Sequence, residues 1–150
     1  MKKDVLISIS GIQFSEGANE LAPMETVVAG EYYQKNGAHF LMYDEIVEEW
    51  GQPIHNFIKI RGGSVEIRRR GLLNTHMVFE QDKKSMTSYR LPFGEMRFGI
   101  STTGVKVEEE SERLTALVNY ALDIDGKFFA DCEVHIDVRQ KEAAAELLSE

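Results

Sequence analysis

The chain has 150 residues, 17 of them Lys or Arg and 25 Asp or Glu, for a net charge of −8. That length suits one domain burying roughly 70% of its unfolded surface, and the acidic balance argues against nucleic acid or an anionic membrane as the main partner. The single Cys132 excludes an internal disulfide, no apolar run reaches the roughly 18 residues of a membrane span, and Met1-Lys2-Lys3-Asp4 lacks a signal-peptide core, so a cytoplasmic protein is expected.

Alternation predicts a first strand over 4–14, with Val5, Ile7 and Ile9 on one face and a bulge near Ser10-Gly11 that shifts the phase to Ile12 and Phe14. A polar loop over 15–23 ends at Pro23 and is a candidate pocket rim. The second strand covers 25–35, and Asn36-Gly37 predicts a two-residue hairpin with Lys35 opposite Ala38, Tyr33 opposite Phe40 and Gly30 opposite Tyr43. The third strand ends in Asp44-Glu45-Ile46-Val47-Glu48-Glu49-Trp50; its carboxylates read as a solvated strand end rather than a metal site, and Trp50 as the cap of a core edge.

A turn at Gly62-Gly63 sets a register that both faces satisfy. It pairs Ile60 with Val65 and Ile58 with Ile67 inside, and Lys59 with Glu66 outside. The same register brings Asn56 opposite Arg69, in phase with the buried isoleucines. A guanidinium cannot shed its proton to escape burial, so two readings follow: Arg69 snorkels to water at the mouth and bonds locally, or it binds a carboxylate or phosphate of a ligand.

Further strands are expected over 75–80 and 86–91, then a Pro92-Phe93-Gly94 corner that avoids a minimal hairpin, and a long strand carrying Met96, Phe98 and Ile100. A phase change at Thr103-Gly104 implies a bulge, after which Val105 and Val107 are the apolar set. The run Glu108-Glu109-Glu110-Ser111-Glu112 is a solvated turn without the spacing of a calcium loop. Residues 113–139 form a hairpin whose even positions are apolar on both arms; the expected loop is 124–126, pairing Leu122 with Phe128, Tyr120 with Ala130, Val118 with Cys132, Ala116 with Val134 and Asp123 with Lys127. Residues 141–150, Lys-Glu-Ala-Ala-Ala-Glu-Leu-Leu-Ser-Glu, predict a short helix that either plugs the domain or frays.

One apolar face on some ten short antiparallel strands calls for a sheet that hides its edges. The expected fold is a single all-β domain over residues 1–150, an antiparallel barrel of about 8–10 strands with a short C-terminal helix.

The chain also resembles a family. Val5-Leu6-Ile7-Ser8-Ile9-Ser10-Gly11, Gly30-Glu31-Tyr32-Tyr33 before Asn36-Gly37, Tyr43-Asp44-Glu45, Ile67 with Arg69 and Gly71, Met77-Val78-Phe79, Tyr89 with Pro92-Phe93-Gly94, Thr102-Thr103 and Tyr120-Ala121-Leu122 are similar in order and spacing to the YwiB-like bacterial proteins, a domain of unknown function. The resemblance covers Val5 to Val138 and implies a calycin-like barrel, akin in architecture to lipocalins and fatty-acid-binding proteins; it brings no assigned activity and no catalytic residues. Gly11-Ile12-Gln13 departs from the lipocalin pattern of a glycine followed two places on by tryptophan, and the connection after it is too short for a helical lid.

For function, His39, His55, His76 and His135 are scattered in the sequence and Cys132 reads as inert packing, so no catalytic residue, metal or cofactor is assigned and the protein is read as non-catalytic. The leading expectation is a calycin-like barrel binding a small, partly apolar anionic ligand, with Arg69 and Asn56 at its acidic end and Tyr89 and Tyr120 supplying further hydroxyls. The competing one is a filled barrel acting as an interaction module or homodimer through its outer face, with an Arg68, Arg70, Arg90 and Arg97 stripe or exposed Phe57 and Phe129 as the contact.

Overall fold

Alternating apolar and polar residues set the backbone into ten strands in the computed structural model, which describes residues 3–11, 25–47, 51–71, 74–91 and 94–141, the side chains of residues 25, 47 and 89–91 excepted. They are β1 (Lys3–Ser10), β2 (Glu25–Lys35), β3 (Ala38–Val47), β4 (Gln52–Arg61), β5 (Ser64–Arg70), β6 (Thr75–Glu80), β7 (Lys84–Leu91), β8 (Gly94–Glu109), β9 (Arg113–Ile124) and β10 (Lys127–Gln140). Burial follows the period of two in β4, β6 and β9, because one face of each strand is turned to a shared core.

All the strands form one antiparallel sheet in the order β6-β5-β4-β3-β2-β1-β10-β9-β8-β7. Its outer strands, β6 and β7, follow each other in the chain, so the turn between them brings the two edges together and the sheet curls into a nearly closed barrel. The seam is held by the turn rather than by a ladder. Thr102 exchanges backbone hydrogen bonds with the turn, accepting from the Asp82 amide and donating to the Lys83 carbonyl, both at 3.0 Å. The Ser85 hydroxyl donates to the Val78 carbonyl at 2.8 Å across the gap.

The interior is lined from nearly every side by buried aliphatic and aromatic groups, among them Ile7, Leu41, Ile58, Ile60, Phe79, Ile100, Leu122 and Ile136. Gly30 lets two of the walls approach. A Cβ there would stand 2.7 Å from both the Ile7 Cδ1 and the Met42 carbonyl oxygen, so the missing side chain is what admits Ile7 and Tyr43 over β2.

The hairpin at Asn36-Gly37 pairs Lys35 with Ala38 and Tyr33 with Phe40, and that at Gly62-Gly63 pairs Ile60 with Val65, Ile58 with Ile67, Lys59 with Glu66 and Asn56 with Arg69, as the sequence predicts. The expected bulge in β8 lies between Thr102 and Gly104.

The β9–β10 hairpin differs from expectation. Asp125 and Gly126, with φ of 50° and 84°, form a two-residue turn between the paired Ile124 and Lys127, and parity is restored by a bulge between Phe128 and Ala130. Both apolar sets share a face only if one extra residue is inserted; the sequence reading put it in the loop, and the chain puts it in the strand. Tyr120 therefore pairs with Cys132, Val118 with Val134 and Ala116 with Ile136, while Phe128 is left outside, 69% exposed. At the expected Pro92-Phe93-Gly94 corner, Leu91 pairs directly with Gly94, so the strands meet more tightly than the corner implied; residues 92 and 93 lie outside the described residues. So do residues 12–14, the 15–23 loop, Trp50 and the 141–150 helix beyond Lys141.

Candidate functional site

In an up-and-down barrel every second connection lies at the same end. The short turns after β2, β4, β6 and β8 mark one end, here the turn end, and the connections after β1, β3, β5, β7 and β9 mark the other, the loop end. The inward positions of β3 run from one to the other as His39, Leu41, Tyr43 and Glu45, and the two polar extremes nucleate two distinct clusters.

At the loop end the ladders align Tyr43, Asn56, Arg69 and Thr75 in a transverse row across β3, β4, β5 and β6. Asn56 is 1% exposed and Thr75 is also buried. Arg69 faces inward, and the Arg69 Nη2 donates to both carboxylate oxygens of Glu45, at 3.1 and 3.3 Å. Glu45 thus supplies the anion that burial of Arg69 requires. The Asn56 Nδ2 donates to the Ile54 carbonyl at 3.2 Å, which leaves the Asn56 Oδ1 acceptor and the Arg69 Nε donor buried without partners on two directly paired residues. Burial, reinforced by the charge of Glu45 and opposed by that of Arg69, raises the Tyr43 phenol above its ordinary range, so Tyr43 is a neutral hydroxyl.

Of the four residues singled out from the sequence, Arg69 and Asn56 are neighbours. Tyr120 lies elsewhere on the wall, on β9, packed at 4.9 Å between ring centroids against Phe79 and paired across the ladder with Cys132. Burial and the neighbouring Cys132 push its phenol upward. Tyr89 pairs with Met96 through its backbone, and its side chain lies outside the described residues.

The turn end holds residues that sequence reasoning passed over. The Tyr32 hydroxyl is 2.7 Å from His39 Nδ1, their rings stack 5.8 Å apart, and His39 Nε2 is 3.6 Å from a carboxylate oxygen of Glu109. His39 is 6% exposed. Burial and the Glu109 charge both raise the Tyr32 phenol. Tyr32 and Glu109 open onto a pocket of about 300 Å³ floored by Val5, Leu114 and Val138. The inward phase of His39 follows from the Asn36-Gly37 register, since it is in step with Leu41; Glu109 was hidden in a run read as solvated.

On the outer face, the Tyr33 and Phe40 rings stack at 4.8 Å and 8° in a groove that also takes in Phe57, Lys59, Arg68 and Arg70. Among the described residues no helix is long and apolar enough to cross a membrane.

The class is thus an all-β protein with a nearly closed, ten-stranded, calycin-like barrel whose polar groups collect at its ends. The fold is similar to that of the ywiB protein from Bacillus subtilis, known from a crystal structure, with a TM-score of 0.71 and 18% identity over 93% of this chain and 92% of that one. The chain belongs to the family described as domain of unknown function DUF1934, whose model matches residues 7–136. No curated protein matches it.

Proposed function

We propose that the barrel is a non-catalytic binding protein, in a reducing compartment such as the cytoplasm, for a small, partly apolar ligand whose polar head is received at the loop end by Arg69 and Asn56. The observation that carries this is the pair of buried, unpartnered atoms, Arg69 Nε and Asn56 Oδ1, on residues facing each other across one ladder. A buried polar group without a partner costs about 1–3 kcal/mol, and a head group offering an acceptor and a donor removes both penalties. Because Glu45 already balances the Arg69 charge, the ligand is selected by hydrogen bonding as much as by charge. An acid retains a role through the Arg69 face that Glu45 does not occupy. Tyr43 adds a neutral hydroxyl in the same row.

Native mass spectrometry of the purified protein, followed by thermal shifts with matched decanoic acid, decanol and decanamide, tests the reading. The expected result is a bound small molecule, or a stabilisation by at least one probe that Arg69→Ala and Asn56→Ala each abolish. An empty barrel with no shift from any of the three overturns it.

The second reading, an interaction module, is favoured by the outer groove, where Phe57 is 40% exposed in the groove of the Tyr33–Phe40 stack and is paired with Arg68, with Arg70 also lining the groove. The oligomer mass from the same spectrum tests self-association, and Phe57→Ser separates a dimer through this face from one formed elsewhere.

A further inference from the structure

The outer face of β2 to β5 carries positive charge that the chain itself leaves unanswered. On a chain of net charge −8, the groove of the Tyr33–Phe40 stack is lined by Lys59, Arg68 and Arg70, and among the described residues no carboxylate is ion-paired with any of the three. Two acids on the same face are engaged elsewhere. Glu66, itself in the groove, is held by His76 at 2.8 Å, and Asp44 by His55 at 2.7 Å. The ladders set out the groove in columns: Tyr33 pairs with Phe40 and Phe40 with Lys59, while Phe57 pairs with Arg68 and His55 with Arg70. Stacked rings on β2 and β3 therefore form one flank, the arginines of β5 the other, and Phe57 stands between them. Arg68 and Arg70 are two residues apart on one strand, so they leave the same face about 7 Å from each other.

We propose, building on the interaction-module reading, that this groove docks an extended segment of another protein in which an apolar residue is flanked on both sides by acidic ones. Such a segment repeats its side chains with the same two-residue period of about 7 Å as β5, so carboxylates at its positions i and i+2 meet Arg68 and Arg70. The side chain at i+1 turns to the opposite flank and lies against Phe57 and the Tyr33–Phe40 rings. The guanidinium fork suits a carboxylate, which takes two parallel N–H bonds. A space of about 310 Å³ is at the small end of binding sites and receives one large apolar side chain with its flanking backbone. A second copy of this chain fits less well, because a two-fold contact centred on the groove sets its cations against the same cations of the other copy. A nucleic-acid strand would run past the three cations onto a surface of opposite balance, where its phosphates are repelled.

The test is an NMR titration of the intact protein with the blocked peptide acetyl-Ser-Glu-Phe-Glu-Ser-amide, following the amides of Tyr33, Phe40, Phe57, Arg68 and Arg70. Saturable binding with a Kd of roughly 1 mM or below is expected, weakening as salt is added. The same peptide with both Glu replaced by Gln should bind about tenfold more weakly, a comparison that needs no variant of the protein. Arg68→Gln and Arg70→Gln, at exposed side chains, should each weaken binding about fivefold, the upper size of an exposed ion pair, and Phe57→Ser at least tenfold. No saturable binding, equal affinity for the Gln peptide, indifference to both arginine substitutions, or tighter binding of a thymidine oligonucleotide of the same length overturns the proposal. A dimer that Phe57→Ser dissociates, together with no peptide binding, overturns it while leaving the interaction-module reading in place; peptide binding by a monomer supports both. The loop-end reading is untouched by any of these outcomes, since Arg69 and Asn56 take no part.

Discussion

At the loop end the barrel encloses a guanidinium and a carboxylate that neutralise each other, with Arg69 and Glu45 both largely screened from solvent. Of the three polar groups joined at the turn end only His39 is deeply buried, and its partners Tyr32 and Glu109 reach outward into an open pocket. The first arrangement ties ionic charges into the wall, where removing either leaves the other stranded; the second sets a phenol and a carboxylate on either side of a buried imidazole, with one end in solvent. Both begin on β3, which shows how a single strand serves two chemistries when its inward residues lie at opposite rims.

The contrast is broken most directly by Arg69→Ala, which leaves Glu45 buried without its cation and should cost about 3 kcal/mol in denaturant unfolding. Replacing both Arg69 and Glu45 by Met should recover most of that loss, because no charge is then left unpaired; a double variant no better than the single one would mean the cluster acts through packing alone.

Tyr32→Phe should cost less, about 1–2 kcal/mol, by removing the hydrogen bond and leaving the buried His39 Nδ1 without a partner. A loss equal to that of Arg69→Ala would erase the distinction between the ends.

High pH separates the clusters further. The Tyr43 phenol is raised in the folded state, so the folded chain keeps a proton that the unfolded chain gives up. Its contribution to stability is therefore complete below about pH 10, the ordinary phenol value, and is lost as the pH rises toward the folded-state value. Tyr43→Phe should flatten the fall in stability above about pH 10. Glu109→Gln should bring the ionisation of Tyr32, read by phenolate absorbance, to lower pH and leave Tyr43 unmoved.

The smallest effect is expected at low pH on the turn-end rim. Burial alone would raise Asp137, but hydrogen bonds and charge from Arg113, helped by Arg139, outweigh it and hold the carboxyl below its usual range. The stability this supplies is present above about pH 4, the unfolded carboxyl value, and is lost as the pH falls through the folded one. Arg113→Ala should shift acid unfolding to slightly higher pH. Glu109→Gln, at a half-exposed carboxylate, should change stability by less than about 1 kcal/mol.

Much of this was legible in the chain itself. Alternation with short turn signals determined the strands, and two glycine-bearing turns determined the registers that set Asn56 against Arg69, because pairing is a local consequence of turn length and of which face must be dry. Parity along β9 and β10 demanded an extra residue, yet could not say whether loop or strand would hold it; the bulge after Phe128 is a choice the curved barrel made by packing Tyr120 against Phe79 and Cys132. Which polar groups meet was likewise a tertiary decision. Glu45 finds Arg69 from 24 residues away, and Glu109 reaches His39 only because β8 and β3 are walls of one closed sheet. Sequence pattern tells a side chain which face to take; the closing of the barrel determines what it finds there.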